Sequence, residues 1–207
     1  MSRCSGDDAV NVSGGAAPVL RRCTLAAKKC GLRAFDAARP RLEGCAVEGC
    51  GEQGVKAMDT SLVVLNHCKI SGCAEEGVVV MGGAAAELTG CLVTGNKGPG
   101  VDASGAGRVA VTGGAIEGNV GGVWLWGSAT ARLEGARVEG GPCQVLLADG
   151  GAAAVARGCA FEGTVHAGEG AWRGLAGGGN TFADPGAPTD FPPEEGPFRF
   201  VPNRFKQ

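Results

Sequence analysis

A short unit of glycine, cysteine and an apolar residue returns along this chain at an almost constant interval, and the interval leaves room for few folds. It reads Gly44-Cys45-Ala46-Val47-Glu48-Gly49, then His67-Cys68-Lys69-Ile70-Ser71-Gly72, then Gly90-Cys91-Leu92-Val93-Thr94-Gly95. The apolar column Leu25, Val47, Ile70, Val93, Ile116, Val138 and Phe161 advances by 22, 23, 23, 23, 22 and 23 residues. Repeats of this length mean a solenoid, in which each unit buries its apolar face only against its neighbours. Apolar residues alternate within each unit, with no stripe at helical spacing, so the units are strands.

A second column opens each coil: Gly31-Leu32-Arg33-Ala34-Phe35-Asp36, Gly54-Val55-Lys56-Ala57-Met58-Asp59, Gly77-Val78-Val79-Val80-Met81-Gly82, Gly100-Val101-Asp102-Ala103-Ser104-Gly105 and Gly122-Val123-Trp124-Leu125-Trp126-Gly127. Gln144-Val145-Leu146-Leu147-Ala148-Asp149 is aligned as the next member. A strand period of two sends the second and fourth residues inward and the third and fifth outward. Short connections between stacked parallel strands, with the usual crossover hand, give an all-β, right-handed parallel β-helix of about seven coils. The expected parts are an N-terminal segment 1–8, the β-helix 9–182 and an extended Pro- and Phe-rich tail 183–207.

Over roughly residues 9–182 this repeat geometry resembles the pectate-lyase-like β-helix superfamily, more closely the β-helical repeats of intracellular F-box and cytoskeletal proteins than the secreted polysaccharide enzymes. A leucine-rich repeat would want Leu at most apolar columns, and a left-handed helix would want six-residue units. The resemblance implies that any enzymatic cleft would lie along the first sheet, with clustered Asp, Arg or Lys, and calcium in the lyases.

Glycine is abundant, at 39 of 207 residues, but falls at fixed corners where positive φ is needed. His67 takes one such corner, and Asp36, Asp59 and Asp149 take strand-ending turns where Asp bonds backbone N–H groups. A net charge of −2 with no basic face argues against nucleic acid or anionic membrane as a partner. The start of the chain lacks the apolar core of a signal peptide, so an intracellular, cytoplasmic location is expected. Ten cysteines do not imply disulfides here. Cys23, Cys45, Cys68, Cys91 and Cys159 share a column whose members stand about 4.8 Å apart with parallel side chains, whereas a disulfide needs them to converge. Buried free thiols fit a reducing compartment. A zinc site from Cys45, His67, Cys68 and Cys91 is weighed and set aside, because a column presents ligands in a row and not around a point. Cys50 and Cys73 share another column with Asn96 and Asn119, as an interior ladder.

The outward positions of the first sheet are Arg33, Lys56, Val79, Asp102, Trp124 and Leu146 in one row, and Phe35, Met58, Met81, Ser104, Trp126 and Ala148 in the next. Asp102 alone is a carboxylate, whereas glycoside hydrolysis needs two flanking the bond. No catalytic residue, cofactor or metal ligand is therefore assigned. Phe35, Met58, Val79, Met81, Trp124, Trp126 and Leu146 form an apolar surface of the kind that marks interaction sites. Phe191, Phe198, Phe200 and Phe205 make the tail unusually aromatic for a disordered segment, so it is expected to dock as a second contact. The expected function is a non-enzymatic scaffold or adaptor binding protein subunits, with no small-molecule substrate. A cytoskeletal or ciliary (axonemal) setting comes from the resemblance alone. The alternative is a carbohydrate-binding module or degenerate polysaccharide lyase or hydrolase.

Overall fold

A computed structural model describes residues 7–141, 146–148, 151–167 and 179–183. Phe191, Phe198, Phe200 and Phe205 lie outside the described residues, as does Asp149. Each of the first seven coils contributes one strand to each of three parallel sheets, and β22 and β23 begin an eighth. The first sheet stacks β1 (Val10–Val12), β4 (Leu32–Ala34), β7 (Val55–Ala57), β10 (Val78–Val80), β13 (Pro99–Ala103), β16 (Gly121–Leu125), β19 (Leu146–Ala148) and β22 (Val165–Ala167). The second stacks β2 (Val19–Arg21), β5 (Arg41–Glu43), β8 (Leu62–Asn66), β11 (Ala85–Thr89), β14 (Arg108–Thr112), β17 (Thr130–Glu134) and β20 (Ala153–Arg157). The third stacks β3 (Thr24–Leu25), β6 (Ala46–Glu48), β9 (Lys69–Ser71), β12 (Leu92–Thr94), β15 (Ala115–Glu117), β18 (Arg137–Glu139), β21 (Ala160–Glu162) and β23 (Thr181–Ala183). The described residues contain no helix, and hence none long and apolar enough to cross a membrane.

The two columns read from the sequence are the first and third sheets. Leu32, Val55, Val78, Val101 and Val123 are wholly buried, as are Ala34, Ala57, Val80, Ala103 and Leu125 two residues on. The third sheet sends Val47, Ile70, Val93, Ile116, Val138 and Phe161 into the same core. The second sheet, which the glycine-cysteine frame does not reveal, closes the prism with Leu42, Leu65, Leu88, Val111 and Leu133. Each such side chain stabilises the stack by about 1.5–3 kcal/mol, but only when a neighbouring coil covers it. Phe182 extends the column one rung past Phe161, with the rings stacked at 5.2 Å and 10°.

Left-handed backbone turns the corners. Arg22 (φ 52°) and His67 (φ 51°) share a column with Gly44, Gly90, Gly113, Gly135 and Gly158, all near 60°. The His67 ring lies over Gly90, where a methyl group would come within 2.6 Å of Nδ1. Asp36 (φ 55°) and Asp59 (φ 59°) hold the turn after the first-sheet strand. The Asp59 carboxylate accepts the Asp36 N–H of the preceding coil at 3.0 Å.

The thiols also cap the chain. Cys45, Cys50, Cys68, Cys73, Cys91 and Cys159 are buried free thiols, while Cys23, in the first described coil, is partly exposed. Cys68 donates to the carbonyls of Asn66 and Leu42 at 3.4 and 3.5 Å. Cys91 repeats this with Thr89 and Leu65. In the other corner, Asn96 Oδ1 accepts the Cys73 N–H and Asn119 Oδ1 the Asn96 N–H, both at 3.0 Å, while the Asn119 amide donates to Val93 O at 2.9 Å. Cysteine and asparagine fill equivalent places because each brings a short polar group to backbone atoms that would otherwise be buried unpaired.

Candidate interaction face on the first sheet

Strand register carries the outward rows across the first sheet. Arg33, Lys56, Val79, Asp102 and Trp124 are consecutive partners in β4, β7, β10, β13 and β16. Two residues further along lies the row Phe35, Met58, Met81, Ser104 and Trp126. Phe35 and Met58 are half-buried, whereas Met81 and Trp126 are 40% and 37% exposed. Val79, expected outside, is only 7% exposed. The short side chain sits between the longer Lys56 and Asp102 and contributes little open surface.

Leu146 departs from the expected placement. Backbone pairing sets Leu146 beside Val123 and Leu147 beside Trp124, whereas the sequence alignment sets Leu146 beside Trp124. The step from Val123 is 23 residues, one more than the alignment from Val145 assumed. Val145, Leu146, Leu147 and Ala148 are all apolar, so alternation gives no phase, and a one-residue slip exchanges the two faces.

The two tryptophans are held differently. The Trp124 indole folds back over Gly121, where a methyl group would meet its ring at 2.5 Å. Trp124 meets Trp126 edge to face, with centroids 6.3 Å apart and planes at 84°, a favoured aromatic arrangement. Trp126 Nε1 donates to Asp102 Oδ2 at 3.2 Å. Burial pushes the Asp102 carboxyl up to about 6; the Trp126 hydrogen bond opposes this and the nearby Glu76 charge adds to it. Asp102 is therefore not a lone carboxylate among apolar neighbours.

Glu76 belongs to a polar corner immediately before the first-sheet strands, where Gln53 is 8% exposed. Its side-chain amide donates to Glu75 and, at 3.2 Å, to Glu76. Its Oε1 accepts from Lys56 Nζ and from the Cys30 thiol, both at 3.4 Å. Burial pushes the Cys30 thiol pKa up. Arg33 pairs with Asp8 at 3.4 Å, and the Asp8 side chain is 4% exposed. The strand columns do not single out these residues. The same 22- or 23-residue step, applied to the corner, does line up Asp8, Cys30, Gln53 and Glu76.

Residues 2–116 match the family model described as the right-handed β-helix region, which is more than half of the chain. The chain belongs to that family. Comparison with curated proteins and with solved structures returns no match. In this right-handed β-helix the first sheet thus presents three parallel bands. A charged corner runs through Lys29, Glu52 and Glu75, with Glu76 beside them; a mixed row runs from Arg33 to Trp124; and an apolar stripe runs from Phe35 to Trp126.

Proposed function

We propose that this β-helix is a non-enzymatic scaffold or adaptor that binds a protein subunit across the first sheet. The observation that supports the reading is the apolar stripe, in which Phe35, Met58, Met81 and Trp126 recur on neighbouring coils with Met81 and Trp126 well exposed. Large aromatic anchors flanked by charge are where interface energy concentrates, and Met gives such a surface adaptable apolar contact. The buried free thiols fit an intracellular assembly. A cytoskeletal or ciliary assembly is the class to which the repeat resemblance points.

Cross-linking from Lys56, which lies between the stripe and the charged corner, tests this reading. Links from Lys56 to a partner should be lost in a Met81→Asp/Trp126→Ser variant whose melting transition is unchanged. Unchanged links in that variant would refute it. One observation favours a second reading, as a carbohydrate-binding module: the edge-to-face Trp pair with a carboxylate hydrogen-bonded beside it. Quenching of Trp fluorescence by oligosaccharide, abolished by Trp126→Ser, would support that alternative. Turnover of a polysaccharide abolished by Asp102→Ala would overturn the non-enzymatic assignment.

A further inference from the structure

The outward residues of the first sheet are complementary about its middle. Strands β4, β7, β10, β13 and β16 stack in that order, so β10 is the central rung of the row Arg33, Lys56, Val79, Asp102 and Trp124. One rung before the centre stands a cation, Lys56, and one rung after it a carboxylate, Asp102. Two rungs out stand a cation, Arg33, and an indole, Trp124. In the neighbouring row both ends are aromatic, Phe35 and Trp126, and the centre is Met81, which is 40% exposed. Neither Lys56 nor Asp102 forms an ion pair among the described residues. Lys56 Nζ meets the neutral Gln53 side-chain oxygen at 3.4 Å, and Asp102 accepts the Trp126 Nε1–H at 3.2 Å. The two charges are two rungs, or about 10 Å, apart with Val79 between them, so they do not meet within one chain.

A second copy turned end for end meets both. A two-fold axis lying in the face along β10 reverses the order of the rungs and sets each row opposite itself. Lys56 then lies opposite Asp102 of the second copy, and Asp102 opposite its Lys56. Arg33, held by Asp8 at 3.4 Å, lies opposite Trp124, a cation facing an aromatic ring. Phe35 lies opposite Trp126, and Met81 opposite Met81 at the centre, where interface energy concentrates. A two-fold axis along the solenoid would instead set Lys56 opposite Met58 and Asp102 opposite Ser104, covering both charges without pairing them. Charge complementarity therefore selects both the occupant and its antiparallel orientation.

We infer that two copies of this chain associate through their first sheets, end for end about β10, with Lys56 of each against Asp102 of the other. The inference rests on the reading of the first sheet as a protein-binding face, and it names a second copy as the occupant. From β1 to β19 the face runs six steps, about 29 Å, and with its side chains it is about 15 Å wide, so the two copies together cover about 900 Å2. That is the size of a weak, transient interface. Glu75 and Glu76 flank the central rung from the charged corner, at the rim, where solvent and salt screen their like charge.

The test is sedimentation equilibrium of the full chain from micromolar to sub-millimolar concentration, where a monomer–dimer equilibrium is expected. Lys56→Glu alone and Asp102→Lys alone each set like charges face to face and should weaken dimerisation at least about tenfold. An equimolar mixture of the two variants should dimerise as the parent does, because the exchanged charges oppose one another again. Restoration by mixing separates lost complementarity from a damaged fold. Met81→Asp, at an exposed position on the axis, should abolish the dimer and leave the melting transition unchanged. A link from Lys56 to Lys56, which forms only between chains, is the matching cross-linking result. A dimer that survives Met81→Asp, or a mixture that associates no more tightly than either variant alone, would overturn the inference. A parent that stays monomeric while Lys56 links to a different protein would refute the dimer and leave the protein-binding reading standing. A monomer whose Lys56 links to no protein at all would refute both.

Discussion

Asp102→Asn should make this protein more stable at about pH 7.5, with a gain that disappears in acid. The Asp102 carboxyl is raised from 3.8 to about 6 chiefly by burial, so the folded state binds the proton more tightly than the unfolded chain. The contribution of that proton is fully present below about pH 4 and is lost as pH rises through about 6. Above that pH the fold carries a partly desolvated charge. At about 1.4 kcal/mol per pH unit, the displacement corresponds to about 3 kcal/mol. The site keeps enough solvent contact for screening to reduce this to about 1–2 kcal/mol. Asparagine removes the charge and keeps an oxygen to accept the Trp126 Nε1 hydrogen bond, which is 3.2 Å long in the parent. For a domain of this size, 1 kcal/mol corresponds to about 2–4 °C in melting temperature. Urea denaturation of parent and variant at about pH 4 and pH 7.5 isolates the effect from other carboxylates. A variant no more stable than the parent at the higher pH, or a gap equal at both, would refute the assignment of burial as the cause.

Gly77→Ala should destabilise by about 2–4 kcal/mol, because a Cβ there meets Val93 Cγ1 at 2.4 Å and Gly100 O at 2.7 Å. Gly95→Ala meets no atom and is strained only by its φ of +66°, so it should cost about 1–2 kcal/mol; a reversed order of urea midpoints would show the packing argument wrong. Asn96→Ala strands the Cys73 N–H, bonded at 3.0 Å in the parent, and should cost about 1–3 kcal/mol. Cys73→Asn should stay within about 1 kcal/mol by extending the asparagine ladder, and equal losses in these two variants would contradict the interchange of Cys and Asn. Cys30, Cys45, Cys50, Cys68, Cys73, Cys91 and Cys159, all buried, should resist alkylation in the native protein and react once it is unfolded. A non-reducing peptide map that joins any two of them would end that account.

Sequence and structure agree where a column has one chemical character. Val47, Ile70 and Val93 could belong only inside, and His67 could take a glycine corner because its backbone tolerates the left-handed region. Agreement fails where the pattern is degenerate. Around Leu146 every residue is apolar, so only the strand pairing with Val123 sets the register. Val79 shows a different limit, since strand parity gives a direction but not the size of the neighbours that cover a side chain. Glu76 and Gln53 stand in a corner, where no alternation marks them; the repeat step aligns them, and only the structure shows that they bond to each other and that the Glu76 charge reaches Asp102. Trp126 was recognisable as outward, whereas its bond to Asp102, one coil away, depends on ring orientation that no spacing specifies.

Stacking also orders the coils by vulnerability. Among the described strands, an interior one has its backbone groups paired on two sides, whereas an outermost one such as β1 has a described neighbour on one side only. Loss of order in such a one-dimensional assembly begins at the ends and moves inward one rung at a time. Met58 and Met81 ride on the third and fourth rungs, so amide exchange beneath them should outlast exchange in the outermost coils. The stripe can thus keep its spacing while the ends of the helix open and close, as a ruler keeps its central graduations when its edges wear.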